Sequence, residues 1–178
     1  MRSLLAPLLG LAPQELVFGR ERKGRPFLRH DAAPDFNLTD TDGGSAVAIC
    51  ARGRVGVDIE RLDRVPPVVP LARRWFSPEE AKALAALPEA ARAPAFLRLW
   101  TAKEASCKAT GTGIFGYLPH WRFDANEDQP RLLSLPADAG ASARWRHLRV
   151  TMPGSQHTVV LALRDAPSLS LRRFILAR

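Results

Sequence analysis

The chain has 178 residues, of which 46% are hydrophobic and 25% charged, an ordinary globular composition with enough length for one sizeable core or two small lobes. That balance excludes a disordered chain, and no run approaches the roughly 18 apolar residues of a membrane-spanning helix. The 26 Lys and Arg against 18 Asp and Glu leave a net charge of +8 and a pI near 10.7, which favours anionic partners without choosing among a phosphorylated cofactor, an acidic protein, a nucleic acid or a membrane surface.

Residues 1–10 (MRSLLAPLLG) superficially resemble a signal peptide. Pro7 and Pro13 break the apolar stretch, no convincing cleavage site follows, and Gln14 and Glu15 come next, so the segment reads as a short helix or a ragged N-terminus. Gly19 to Arg29 is polar and basic, with Gly24 and Pro26 bracketing Arg25 in a turn. Asp35 to Gly43 (DFNLTDTDG) reads as a polar loop after a short β segment, turning into a hairpin. Ser45–Ala51 and Arg54–Glu60 are β-rich runs expected to pair antiparallel through a tight turn at Arg52-Gly53. Val65-Pro66-Pro67 is a stiff connector and the best boundary between an N-terminal lobe, 1–64, and a C-terminal lobe, 65–178.

A helix is expected around Val69 to Phe76. Ser77-Pro78-Glu79-Glu80 then supplies an N-cap serine, proline at the first helical position and a glutamate three residues after the cap, starting a helix that runs to about Leu87. A longer helix spans about Glu89 to Thr110 and stops at Gly111. Strand-like runs follow near Trp121–Asp124, Arg144–Thr151, His157–Leu163 and Leu169–Leu176. Strands, then helices, then strands predict an α+β fold rather than a doubly wound sheet. Cys50 and Cys107 read as buried free thiols, which fits a reducing cytoplasm.

Three segments carry candidate chemistry. In Gly56-Val57-Asp58-Ile59-Glu60 the two carboxylates are two apart on a strand and project to one face, a pair of hard oxygen ligands suited to Mg²⁺; the plain alternative is a solvated acidic strand end. In Trp100-Thr101-Ala102-Lys103-Glu104-Ala105-Ser106-Cys107-Lys108, positions 100, 103, 104, 107 and 108 share one arc of a helix. A surface ion pair between Glu104 and Lys108 is the bland reading, and a charged cleft wall beside a tryptophan is the sharper one. The 35–43 segment is by itself no more than a turn. No phosphate-binding glycine loop, dinucleotide fingerprint or G-x-S-x-G elbow occurs. His30, His120, His147 and His157 lack ligand spacing, so zinc is not expected.

Together these residues resemble the Sfp-type phosphopantetheinyl transferases, whose signatures are (V/I)-G-(V/I)-D-(V/I)-E and F-x-x-x-W-(T/S)-x-K-E-A-x-x-K-x-x-G-x-G. The chain has Val55-Gly56-Val57-Asp58-Ile59-Glu60, then Phe96 with Trp100-Thr101-Ala102-Lys103-Glu104-Ala105, Lys108, Gly111 and Gly113. Between them Arg74-Trp75-Phe76-Ser77-Pro78-Glu79-Glu80 is similar to R-x-F-S-x-x-E, and upstream Gly24-Arg25-Pro26 and Phe36-Asn37-Leu38 match G-(K/R)-P and F-N-(L/I)-S-H. The ordered matches cover residues 19 to 123, and the joint pattern is specific although each piece alone is weak.

The resemblance implies two pseudo-symmetric α/β lobes, the first shortened because little precedes Gly19. It implies transfer of 4'-phosphopantetheine from coenzyme A to a serine of an apo acyl or peptidyl carrier protein, with release of adenosine 3',5'-bisphosphate, the activity of a holo-[acyl-carrier-protein] synthase. Asp58, Glu60 and Glu104 would be the Mg²⁺ ligands, Glu80 would help deprotonate the attacking serine, and Glu104 and Lys108 would serve catalysis. Lys103 and Lys108 would contact coenzyme A phosphates, and Arg25 a phosphate near the adenosine. Thr39 and Asp40 would face the cofactor, Asp40 standing where the family carries a histidine against the 3'-phosphate. A monomer is expected, with a dimer as the variant that a reduced first lobe allows, and neither nucleic acid nor membrane as partner. A non-catalytic relative that binds coenzyme A or a carrier protein is the alternative. A nucleic-acid binder ranks third, since the basic residues are scattered and no recognised motif interleaves them with aromatics.

Overall fold

The computed structural model describes residues 1–31, 33–125, 127–150 and 156–167; the strand expected at 169–176 lies outside them. Its centre is a three-stranded antiparallel sheet in the order β5 (Arg54–Arg61), β9 (His157–Arg164), β8 (Trp145–Val150). Strands β5 and β9 are buried along both faces. On β5 the side chains alternate: Val55, Val57 and Ile59 join Ala48, Val159, Leu161 and Leu163 in one apolar layer, which leaves Gly56, Asp58 and Glu60 on the other face. Val160 and Ala162 of β9 share that second face and belong to the main core with α4 (Glu89–Thr110).

The first apolar layer is covered by a ribbon of β3 (Asp35–Thr41) and β4 (Gly44–Cys50), paired Asp35 to Cys50 through Thr41 to Gly44. This corrects two expectations. The 35–41 segment is a strand rather than a loop, closed by the two-residue turn Asp42-Gly43, with Gly43 at φ 75 as such turns require. And β5 does not form a hairpin with β4: its ladder partner is β9, in register from Arg54 with Arg164 to Arg61 with His157. Side chains of β3 cover the other edge of β5, Asp35 Oδ2 accepting from Val55 N at 2.7 Å and Asn37 Oδ1 from Val57 N at 3.0 Å. Alternation specifies which face of a strand is buried, not which strand lies beside it.

The helices follow expectation closely. After α1 (Arg2–Leu9) and the short strands β1 (Phe18–Arg20) and β2 (Pro26–Leu28) come α2 (Val68–Trp75) and α3 (Pro78–Ala86). Ser77 caps α3, its hydroxyl accepting from Glu80 N while Glu80 returns a carboxylate to Ser77 N. Helix α4 ends on Gly111 at φ 73, a left-handed cap. Phe76, Phe96 and Trp100 stack between α2 and α4, and β6 (Arg122–Phe123) and β7 (Leu132–Ser134) close the far side. Cys107 is a buried free thiol as expected, whereas Cys50 is free but only half-buried.

His147, on β8, has aromatic neighbours in Trp121, Phe123 and Trp145. Its Nε2 lies 2.9 Å from Ser106 Oγ, whose proton goes to Ala102 O, so the ring nitrogen is the donor. Burial pushes the His147 pKa down to about 3. The unfolded chain takes up this proton near pH 6.5 and the folded chain does not. Stability is therefore full above pH 6.5 and falls as pH drops toward 3, by on the order of 1 kcal/mol per pH unit. Urea unfolding at pH 7 and pH 5 should show this loss, and His147→Phe should flatten it; an equal slope in the variant would assign the acid sensitivity to other groups.

Candidate active site

Where the second face of β5 meets α4, Gly56 allows the two backbones to touch: a Cβ on Gly56 would lie 1.9 Å from Ala105 O. One turn of α4 on either side of that contact carries Glu104 and Lys108, and the next outward residues of β5 on this face are Asp58 and Glu60. Lys108 Nζ donates to Asp58 Oδ1 at 2.6 Å and to Thr39 Oγ1 at 2.9 Å, and lies 3.7 Å from Glu104 Oε2. Thr39 Oγ1 is also 3.3 Å from Asp58 Oδ1. Arg64 Nη1 holds Glu60 Oε1 at 2.6 Å. Asp58, Glu60, Glu104, Lys108 and Thr39 are thus brought together from β3, β5 and α4.

The electrostatics are those of crowded, poorly solvated acids. Burial raises the Asp58 pKa to about 7, Lys108 opposing that shift and Glu104 and Glu60 adding to it. Burial also raises Glu104, with Lys108 opposing and Glu60 adding. Asp58 Oδ2 is buried without a hydrogen-bond partner, an acceptor with nothing to accept. Among the described residues no three acidic, histidine or cysteine side chains close into a ready metal cage. The donor set nevertheless fits a hard divalent ion, because Mg²⁺ keeps several waters and uses one or two carboxylates rather than an all-protein cage. Asp58 with its unsatisfied oxygen, Glu60 and Glu104 are the residues that would hold it.

Four expected site residues sit elsewhere, each for a visible reason. Asp40 is exposed on the face of β3 opposite Thr39, as strand alternation requires. Arg25 is 6% exposed: it bonds both oxygens of Asp35 and the carbonyls of Phe36, Val55 and Lys108, with Glu21 Oε1 3.7 Å from its Nη1. It is a buried clamp joining β3, β5 and α4. Lys103, expected against a phosphate, is fully buried. Its Nζ bonds Glu80 Oε2 at 2.7 Å, Leu118 O and Trp121 O, and lies over the Phe76 ring. Glu80, expected as a base, spends its second oxygen on Phe123 N at 3.0 Å. One residue along α4 rotates a side chain by about 100°, which separates Lys103 from Glu104. The sequence reading missed Arg64, which the turn after β5 folds back onto Glu60 and which no local spacing rule singles out.

Breaking a buried pair from one side leaves an uncompensated charge, which costs about 3–5 kcal/mol. Lys103→Met should destabilise by that amount, and Lys103→Met with Glu80→Gln, which removes the charge but keeps an acceptor oxygen for the backbone donors of Ser77 or Phe123, should recover part of it. Denaturant unfolding of both singles and the double measures the coupling. Near-normal stability of Lys103→Met, with only cofactor affinity reduced, would return Lys103 to the phosphate role.

A strand-borne acid pair thus faces a lysine and a glutamate of one helix across a glycine contact in a small α+β fold. Residues 54–163 match the model of the 4'-phosphopantetheinyl transferase superfamily, and the chain belongs to that family. It is 36% identical over 148 residues to slr0495 of Synechocystis sp., covering 82% of this chain and 59% of that protein. It is 36% identical over 117 residues to the 4'-phosphopantetheinyl transferase HetI of Nostoc sp., covering 64% and 49%. With the 4'-phosphopantetheinyl transferase psf-1 of Bacillus pumilus the figures are 31% over 136 residues, 76% and 57%. The chain therefore spans roughly half to three-fifths of the length of these curated relatives. Among the described residues no helix is long and apolar enough to cross a membrane.

Proposed function

We propose that the chain transfers 4'-phosphopantetheine from coenzyme A to a serine of an apo acyl or peptidyl carrier protein, as a holo-[acyl-carrier-protein] synthase does, with Mg²⁺. The observation that carries this reading is the convergence of Asp58, Glu60, Glu104, Lys108 and Thr39 where segment 1–64 meets segment 65–178. Bound Mg²⁺ would supply charge neutralisation at the pyrophosphate. Asp58, Glu60 and Glu104 would hold that ion. Lys108 has one donor already on Thr39 and one on Asp58; its remaining ammonium proton and its charge can steady a phosphate as negative charge develops. Thr39 orients both Lys108 and Asp58. Neither Arg25 nor Lys103 enters this scheme, and since both Glu80 oxygens are engaged in the core the serine proton would pass to solvent water. On this reading the protein acts as a cytoplasmic monomer whose thiols stay reduced.

A second reading, binding of coenzyme A or a carrier without transfer, is favoured by one observation: Glu80 and Lys103 are both consumed by the core. Incubation with coenzyme A, Mg²⁺ and a panel of apo carrier proteins separates the two. A carrier gaining the mass of one phosphopantetheine, with matching release of adenosine 3',5'-bisphosphate and loss of both in chelator, supports transfer. Saturable coenzyme A binding with no mass gain on any carrier would leave the binding role.

A further inference from the structure

Arg98 on α4 and Arg149 on β8 face the loop that follows β6, at the end of the sheet where Glu60 lies. Arg149 Nε donates to Asp128 O at 2.7 Å, and its Nη1 to Thr158 Oγ1 at 2.5 Å. Arg98 makes one long bond, Nη2 to Ala125 O at 3.3 Å, and its Nε is buried with no partner. Both side chains are half-buried. Thr158 is buried and sits directly opposite Glu60 across the ladder, so Arg149 borders the carboxylate cluster.

Neither side chain is held in a close ion pair. All 18 Asp and Glu residues are among the described residues, and neither arginine has an ion pair with any of them. Arg122 and Arg164, whose Nε atoms are likewise buried and unpartnered, differ in lying beside Glu79 and Asp165. Burial depresses the Arg149 pKa, the charge of Arg98 adding to that effect and exposed Asp128 offsetting part of it. Two half-buried guanidinium groups beside one loop repel, and each keeps N–H donors that no side chain or carbonyl accepts. An oxyanion relieves both costs, since the planar fork of arginine matches phosphate and sulfate in charge and geometry.

We propose that Arg98 and Arg149 form an oxyanion-binding pair for a phosphate- or sulfate-like group, with the Thr158 hydroxyl at its edge. The site is separate from Lys108 and stands whether or not the chain transfers phosphopantetheine. The same chemistry is offered by free inorganic phosphate and by a phosphate of coenzyme A. The plainer role of the two arginines is to anchor the chain after β6 at the carbonyls of Ala125 and Asp128.

The test is calorimetric titration of the full chain with inorganic phosphate, with thermal unfolding in phosphate against chloride at equal ionic strength. Saturable binding is expected, weakened at least tenfold by Arg98→Gln and by Arg149→Gln and unchanged by Arg146→Gln, an exposed arginine on the same strand. Arg149→Lys, which keeps the charge and can still pin the loop, should fold normally and lose only part of the affinity. If coenzyme A displaces the phosphate, the cofactor is the source; if both bind together, the pair serves free phosphate. Phosphate and chloride acting alike, or an equal response from wild type and the Arg98 and Arg149 variants, would overturn the proposal and leave the arginines as loop anchors.

Discussion

Gly56→Ala is expected to cost about 4 kcal/mol or more, a loss that belongs to the exceptional tail of single substitutions. The added Cβ would fall 1.9 Å from Ala105 O and 2.5 Å from Ala109 N. Both are backbone atoms of α4, and no side-chain rotation can make room. The helix must lift off β5, which opens the layer holding Ala102, Ala105 and Val160 and pulls Glu104 and Lys108 away from Asp58. For a chain of this size the melting temperature should drop by about 8–16 °C, at about 2–4 °C per kcal/mol. Circular dichroism melts of the purified variant check this. A melting point within a degree or two of wild type would mean that α4 does not sit on β5 as described.

Asp58→Asn is expected to do the reverse: to abolish transfer while leaving the fold intact. The substitution keeps the shape and removes a buried charge whose Oδ2 has no partner and whose neighbours Glu104 and Glu60 repel it. The ion pair with Lys108 at 2.6 Å is lost, which offsets part of the gain. The net change in a chelating buffer should be small and favourable, about 1 kcal/mol and hence about 2–4 °C. With excess Mg²⁺ the wild type should gain stability, since a ligand that binds only the native state stabilises it, and the variant should gain much less. Thermal unfolding with and without Mg²⁺, beside the carrier-loading assay, measures both. Near-normal loading by the variant at low Mg²⁺, or an equal Mg²⁺ response, would remove Asp58 from the metal site.

The stability changes at Gly56 and Lys103 and the functional change at Asp58 separate residues that one motif places side by side. Lys103 and Glu104 are adjacent in sequence, yet one is sealed against Glu80 and Phe76 and the other faces the acid cluster. Arg25 lies in a basic segment that reads as a phosphate site, but its guanidinium closes around Asp35 and three carbonyls.

Local physics accounts for what could be read directly from residues. Ser77-Pro78 and Gly111 specify helix ends because capping and left-handed turns involve only neighbouring backbone. The 56–60 run puts Gly56, Asp58 and Glu60 on one strand face because alternation is a property of the strand itself. The gathering of Asp58, Glu60 and Glu104 was legible for that reason and from the joint motif. Long-range choices were not legible. That β5 pairs with β9, about a hundred residues on, and borrows hydrogen bonds from Asp35 and Asn37 depends on which distant segment buries the Val55, Val57 and Ile59 face best. Whether a lysine or arginine is a ligand or a structural clamp depends on which carbonyls and carboxylates surround it after packing. Charge alone reads the same in Lys103, Lys108 and Arg25; desolvation and the available acceptors, set only by the tertiary structure, leave Lys108 facing the cluster and seal the other two into the core.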